Sequence, residues 1–157
     1  MNAFGSDPES APGPDAVPGA PYAPLLRSQR DVEDVWRALV RPLGWASRSL
    51  WFLLIDAGDR PMPILNEVKD LPDELDREDA ATAVALWRTV LDEVAPAGRV
   101  AALLCRPGRG GPTAADRASA SVLYQAGRAG GVPLEVVHLA TDEQFWPMPA
   151  DAVGSLS

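Results

Sequence analysis

Two patterns of apolar residues recur along the chain, and they predict strands and helices. Short continuous apolar runs at residues 50–55 and 99–105 suit strands that are buried on both faces. Apolar residues at spacings of three and four predict amphipathic helices over residues 30–40 and 80–94. Residues 62–68 follow a turn and predict the antiparallel partner of the first strand in a hairpin.

The pattern of residues 99–140 predicts a strand, a glycine-rich loop, a helix and a second strand. Thr113 is the expected N-cap of this helix, with Asp116 as an acid in the first turn. Gly131 is part of the expected stop, and residues 134–140 form a second strand parallel to the first. The helix is expected to bury one face of small and apolar residues at helical spacing: Ala115, Ala118, Val122, Ala126 and Ala129.

These elements predict an α/β fold with a mixed sheet and helices on both faces. The hairpin argues against a purely parallel flavodoxin-like or Rossmann-like sheet. We expect a single domain over residues 26–150, with one more short strand at 144–147. Residues 1–25 are expected to form a disordered tail rich in Pro, Ala and Gly, and residues 151–157 a frayed C-terminus without a predicted element.

The amino-acid composition excludes several classes of protein function. The 157 residues include 14 basic and 22 acidic groups, for a net charge of −8, which argues against binding nucleic acid or an anionic membrane. The single cysteine excludes an internal disulfide framework and fits a reducing cytoplasm. No apolar run approaches the ~18 residues that span a bilayer, and no secretory signal is evident at the N-terminus.

Residues 99–140 resemble the RadC-like branch of the JAB/MPN family of metalloprotease-like domains. In that family the strand is followed by His-x-His-Pro-Ser-Gly, a turn with Pro-Ser/Thr, Ser-x-x-Asp, a helix, and Gly-Ile-x-x-x-Asp-His before the next strand. The matching segments here are Arg106-Pro107-Gly108, Pro112-Thr113-Ala114-Ala115-Asp116, and Gly131-Val132-Pro133 with His138 one position out of register. The resemblance covers residues 30–147 and implies a JAB/MPN-like, cytidine-deaminase-like three-layer architecture.

The resemblance places Leu104 and Arg106 at the family's two metal-binding histidines. Leucine has no lone pair and arginine stays protonated, so neither can ligate zinc. The resemblance therefore implies a pseudoenzyme without a metal or other cofactor, whose site candidates are Glu67, Leu104, Arg106, Thr113, Asp116 and His138. We expect the Arg106 guanidinium to fill part of the volume of the metal, paired with Asp116 or Glu67. The alternative is that Arg106 faces solvent on a mobile loop.

Two further functions stay open. An anion or nucleotide could bind before the helix N-terminus, held by Arg106, Gly108, Arg109, Gly110, Gly111 and Thr113, although the loop does not match a P-loop. A hydrolase without a metal could use Cys105 and His138, which lie on adjacent predicted strands.

The expected partner is an unidentified protein. A homodimer through a sheet edge, or through Trp45 and Trp146 in predicted loops or edges, fits the resemblance because family members often pair. Residues 70–79 contain six acids without calcium-loop spacing, and they are interpreted as a solvated loop followed by an acidic first helical turn.

Overall fold

The computed structural model describes residues 25–40 and 43–153, except for the side chains of residues 63–65, 152 and 153. The expected tail, apart from residue 25, and the C-terminal residues 154–157 lie outside the described residues. Residues 41 and 42, which follow the first predicted helix, also lie outside them. Within the described ranges, no helix is long and apolar enough to cross a membrane.

The chain forms one five-stranded mixed sheet with helices, which confirms the predicted α/β class. Its strand order is β2-β1-β3-β4-β5, and only the β3–β4 pair is parallel. The elements are α1 (Gln29–Leu39), β1 (Ser49–Ile55), β2 (Pro61–Lys69), α2 (Arg77–Val94), β3 (Arg99–Cys105), α3 (Ala114–Gly130), β4 (Val137–Ala140), β5 (Phe145–Met148) and α4 (Ala150–Val153).

Alternating side chains of the sheet enter two separate cores. Phe52 of β1 and Leu104 of β3 pack in the core that α2 and α3 cover. Leu53 of β1 and Leu103 of β3 pack in the core that α1 covers. The two apolar runs are therefore buried on both faces, as their continuous hydrophobicity predicts.

The predicted hairpin is confirmed, with β2 as an antiparallel strand at the sheet edge. This position explains how β2 accommodates Pro61 and Pro63, because an edge strand has one side on which a missing N–H breaks no ladder bond. The Asp56 side chain accepts hydrogen bonds from the N–H groups of Gly58 and Arg60 and so holds the turn.

Polar residues at the helix ends set the helix boundaries. Thr113 accepts from the N–H of Asp116 through its side chain, and the Asp116 carboxylate accepts from the N–H of Thr113. This capping box satisfies two donors that the first turn leaves unpaired. Gly131 follows α3 with φ of 70°, the left-handed conformation that the sequence predicts for the stop.

The buried face of α3 differs from the predicted one. Four residues of the predicted face are half-buried, and the fifth, Ala129, is exposed. The buried face instead consists of Asp116, Ser119, Ala120, Ser121, Leu123, Tyr124 and Gly127. Hydrophobic spacing did not predict this face, because the polar residues on it are buried only through their partners in other elements. Ser119 Oγ, for example, accepts from the N–H of Leu75 at 2.9 Å.

One boundary and one element also differ from prediction. β4 begins at Val137 rather than at residue 134, because Leu134 makes only an isolated bridge to Val100 before the chain leaves the ladder. The single turn α4 shows that the predicted frayed C-terminus is wrong for residues 151–153, which continue the helix that begins at Ala150. The Tyr124 hydroxyl fixes this region by donating to the carbonyl of Met148 and accepting from the N–H of Val137.

Candidate functional site

The candidate site lies at the carboxyl end of β3, where the glycine-rich loop begins. Leu104 is the penultimate residue of β3 and points into the core under α3. Arg106 comes two positions later, and its side chain binds Asp116 in the first turn of α3. The strand thus places both positions on the α3 side of the sheet.

Arg106 and Asp116 form a buried ion pair. The guanidinium Nε donates to Asp116 Oδ2 at 2.9 Å and to Oδ1 at 3.1 Å. The two side chains are only 7 % and 2 % exposed. The expected pairing of Arg106 with Asp116 is therefore present, and the alternative of a solvent-facing Arg106 is wrong.

Backbone carbonyls accept the other hydrogen bonds of the Arg106 guanidinium. Nη1 donates to the carbonyl of Pro107, and Nη2 donates to the carbonyl of Gly111 at 3.1 Å. The side chain therefore spans the loop and holds both ends of it. Partners of this kind offset the cost of removing a charged group from water.

A second arginine, which sequence analysis missed, also contacts the Asp116 carboxylate. Arg48 lies just before β1, and its Nη1 is 3.5 Å from Asp116 Oδ1. Its Nε donates to the exposed Asp73 at 3.2 Å. No pattern in the sequence marks Arg48, because its position beside Asp116 depends on the pairing of β1 with β3.

The space around this ion pair is nearly filled. Leu104, Ser49 and Ser119, together with both members of the ion pair, line a small, partly open cavity of about 10 Å³. A cavity of this size holds at most about one water molecule. The site therefore offers no room for a peptide or a nucleotide in this conformation.

Glu67 and His138 do not join this group of residues. Glu67 is exposed and pairs in register with Trp51, which packs in the core under α1. His138 pairs with Leu103, which lies in the same core. Because paired residues share a face of a sheet, both lie on the opposite face from Arg106.

His138 is fully buried and held in one tautomer. Its Nδ1 is 3.0 Å from the carbonyl oxygen of Val136, which can only accept, so Nδ1 carries the proton. Nε2 lies 3.7 Å from Glu33 Oε1. Burial lowers the pKa of His138, although the Val136 carbonyl and Glu33 oppose the shift.

Three donors of the predicted anion loop already have acceptors within the protein, namely the N–H groups of Gly108 and Thr113 and the Arg106 guanidinium. The N–H of Gly108 donates to Asp142 Oδ2 at 2.8 Å, and Asp142 Oδ1 accepts from the N–H of Trp45. These two hydrogen bonds lower the pKa of the Asp142 carboxyl. An incoming anion would have to displace Asp142 here and Asp116 from Arg106.

The remaining loop residues add little to an anion site. The Arg109 side chain is 82 % exposed and lies 3.5 Å from Glu143. Gly110 has no neighbour within 4 Å of the position that a Cβ would take, whereas Gly111 packs against the Trp146 ring. The glycines thus serve the turn, with positive φ at Gly108 and Gly110.

Cys105 and His138 lie on adjacent strands and on the same face of the sheet, but they are not directly paired and no hydrogen bond joins them. Cys105 pairs with Ala140, two register positions from the pairing of Leu103 with His138. Burial raises the pKa of the Cys105 thiol, which disfavours the nucleophilic thiolate. The buried thiol, and a His138 ring whose Nδ1 donates to the Val136 carbonyl, give no support to a cysteine hydrolase.

The donor set at Leu104, Arg106 and Asp116 does not fit a zinc ion, because it supplies a single carboxylate and no imidazole. Across the described ranges, no three His, Cys, Asp or Glu side chains cluster closely enough to hold a metal. No protein-family model matches the chain, and no curated protein is significantly similar to it.

Proposed function

We propose that the chain is a degenerate domain of the JAB/MPN type, similar to its RadC-like branch. In this proposal it acts by binding a protein partner or as a structural unit, and it does not hydrolyse peptide or isopeptide bonds. The proposal depends most on one observation, the buried Arg106–Asp116 ion pair beside Leu104. An apolar side chain and a permanent cation stand where the resemblance expects two imidazoles.

The charges around Asp116 support the proposal that an arginine takes the place of a metal ion. A buried Asp116 needs a cation, because an uncompensated carboxylate in the interior is costly. A metal ion supplies positive charge in the related enzymes that the resemblance implies. Here Arg106 supplies it with hydrogen bonds at 2.9 and 3.1 Å, and Arg48 adds a second positive charge at 3.5 Å.

The test is the metal content and hydrolytic activity of the purified full chain. The protein is expressed in zinc-supplemented medium and purified without chelator, and an EDTA-treated sample serves as the control. We expect zinc far below one ion per chain by elemental mass spectrometry. We also expect no turnover of a fluorogenic isopeptide substrate. Stoichiometric zinc, with turnover that EDTA abolishes, would contradict the proposal.

A further inference from the structure

We propose that the groove between α2 and the edge strand β2 binds the apolar face of a basic amphipathic helix from a partner protein. This inference rests on the proposed function, because it names a partner surface for a domain that acts by binding. It concerns a different surface from the Arg106–Asp116 site, and a separate measurement tests it.

The groove has a size and lining suited to side chains. Its volume is about 280 Å³, and its apolar lining includes Val68, Leu71, Pro72, Leu75, Ala83 and Leu86. Small-molecule sites usually occupy about 300–1,000 Å³ and carry convergent polar groups. This groove is smaller and largely apolar, so it fits a few aliphatic side chains better than a cofactor.

Both walls of the groove expose large apolar side chains to solvent. Val68 on β2 is 41 % exposed, and Leu86 on α2 is 49 % exposed. A single exposed apolar residue needs no explanation, but two that face one groove form a surface that a partner can cover.

The charge around the groove selects a basic partner. Residues 70–79, which lead from β2 into α2, contain six acids and one arginine. Leu71, Pro72 and Leu75 of this segment line the groove, as does Asp79. Asp79 therefore lies at the apolar lining, and the other five acids belong to the same segment, so positive charges on a partner would complement this side of the groove.

The same charge disfavours a second copy of this chain as the occupant. A two-fold interface centred on the groove would bring two such acidic segments together, which repel each other. The prolines of β2 disfavour an added strand, because Pro61 and Pro63 have no N–H to pair with it. A helix that inserts aliphatic side chains at helical spacing avoids both problems.

The test measures binding of a fluorescein-labelled helical Leu/Lys peptide to the full chain by anisotropy. We compare Leu86→Lys with Val94→Lys, a matched control on the same helix. Val94 is 45 % exposed but does not line the groove. We expect Leu86→Lys to weaken binding by about tenfold or more and Val94→Lys by less than about twofold. Val68→Lys, on the opposite wall, should match Leu86→Lys.

Further measurements distinguish the proposed helix from charge attraction alone and from a second copy of the chain. A peptide with Glu in place of Lys should not bind, and thermal melts must show that each variant is folded. Equal weakening by Leu86→Lys and Val94→Lys would overturn the proposal, because it indicates charge attraction alone. A wild-type dimer that Leu86→Lys dissociates would overturn it in favour of a second copy. None of these results bears on zinc content or isopeptide turnover, so failure here is distinguishable from failure of the proposed function.

Discussion

At the residue scale, the stability of the site depends on the charge balance around Asp116. Its carboxylate is 2 % exposed and receives hydrogen bonds from Arg106 and from the N–H of Thr113. Removing a partner of a buried charge costs more than the net stabilisation from the intact pair, because the remaining charge stays desolvated. The ion pair is therefore weak evidence for stability but a strong constraint on substitution.

We predict that Arg106→Met lowers the free energy of unfolding by about 3–5 kcal/mol, toward the lower limit because Arg48 remains near Asp116. Arg109→Met, in the same loop but 82 % exposed, should change it by less than about 0.5 kcal/mol. Urea unfolding of both variants checks this. A double variant, Arg106→Met with Asp116→Leu, should be more stable than Arg106→Met alone. Equal effects of the two single variants would contradict the buried ion pair.

The pKa of His138 gives a second prediction at this scale. Burial lowers the pKa of the folded state, so the unfolded state binds the proton first as pH falls below about 6.5. The charged groups that influence the ring are Glu33 and Arg37 of α1 and Glu135 before β4. The free energy of unfolding should therefore decrease as pH falls from 7 toward the lowered pKa, by at most about 1.4 kcal/mol per pH unit.

The single histidine in the chain makes this prediction easy to isolate. His138→Gln should remove the slope between about pH 7 and 5.5, since carboxyl groups titrate mainly at lower pH. Chemical unfolding at a series of pH values measures both slopes. A wild-type free energy of unfolding that stays constant or increases as pH falls from 7 to 5.5 would show that His138 is not held neutral by burial.

At the scale of elements, Tyr124 joins α3 to the two C-terminal strands. Its hydroxyl donates to the carbonyl of Met148 at 2.7 Å and accepts from the N–H of Val137 at 2.8 Å. Burial raises the pKa of Tyr124 to about 12, so the hydroxyl keeps its proton at neutral pH. One side chain thus satisfies a donor at the start of β4 and an acceptor at the end of β5.

We predict that Tyr124→Phe destabilises the fold by about 1–3 kcal/mol, because it leaves both backbone groups without this partner. Hydrogen exchange should localise the effect, with faster exchange at the N–H of Val137 than at amides in the middle of β3. Uniform loss of protection, or a change below about 0.5 kcal/mol, would contradict the role given to the hydroxyl.

The same elements show which features the sequence could predict. The ends of α3 were predictable because Thr113, Asp116 and Gly131 act on their own backbone neighbours. The buried face of α3 was not, because alanines fit a core or a half-exposed face equally well. Ser119 and Asp116 lie on that face only through Leu75 and Arg106.

The candidate site also contains residues that the sequence could predict and residues that it could not. The resemblance implied Leu104 and Arg106 as site positions, and the alternation of side chains along a strand places both on one face of the sheet. Glu67 and Arg48 depended on how β1, β2 and β3 pair, which local patterns do not determine. Pairing places Glu67 on the far face and brings Arg48 to 3.5 Å from Asp116.

At the scale of the whole molecule, one segment separates the ion-pair site from the proposed partner groove. Leu71, Pro72 and Leu75 line both the small cavity beside the ion pair and the groove. A partner seated in the groove would therefore contact the segment that covers the ion pair. The net charge of −8 and the acidic residues of this segment fit a basic partner. The homodimer expected from the sequence stays a prediction.

The most direct test of the central claim is zinc binding by the variant Leu104→His with Arg106→His. If the ion pair replaces a metal site, two imidazoles and Asp116 should bind zinc with one ion per chain in a calorimetric titration of the folded variant. The wild type and the control variant Arg109→His should show no such binding. A folded double variant that binds no zinc, or a wild type that binds one ion, would contradict the claim that Arg106 stands in the place of a metal.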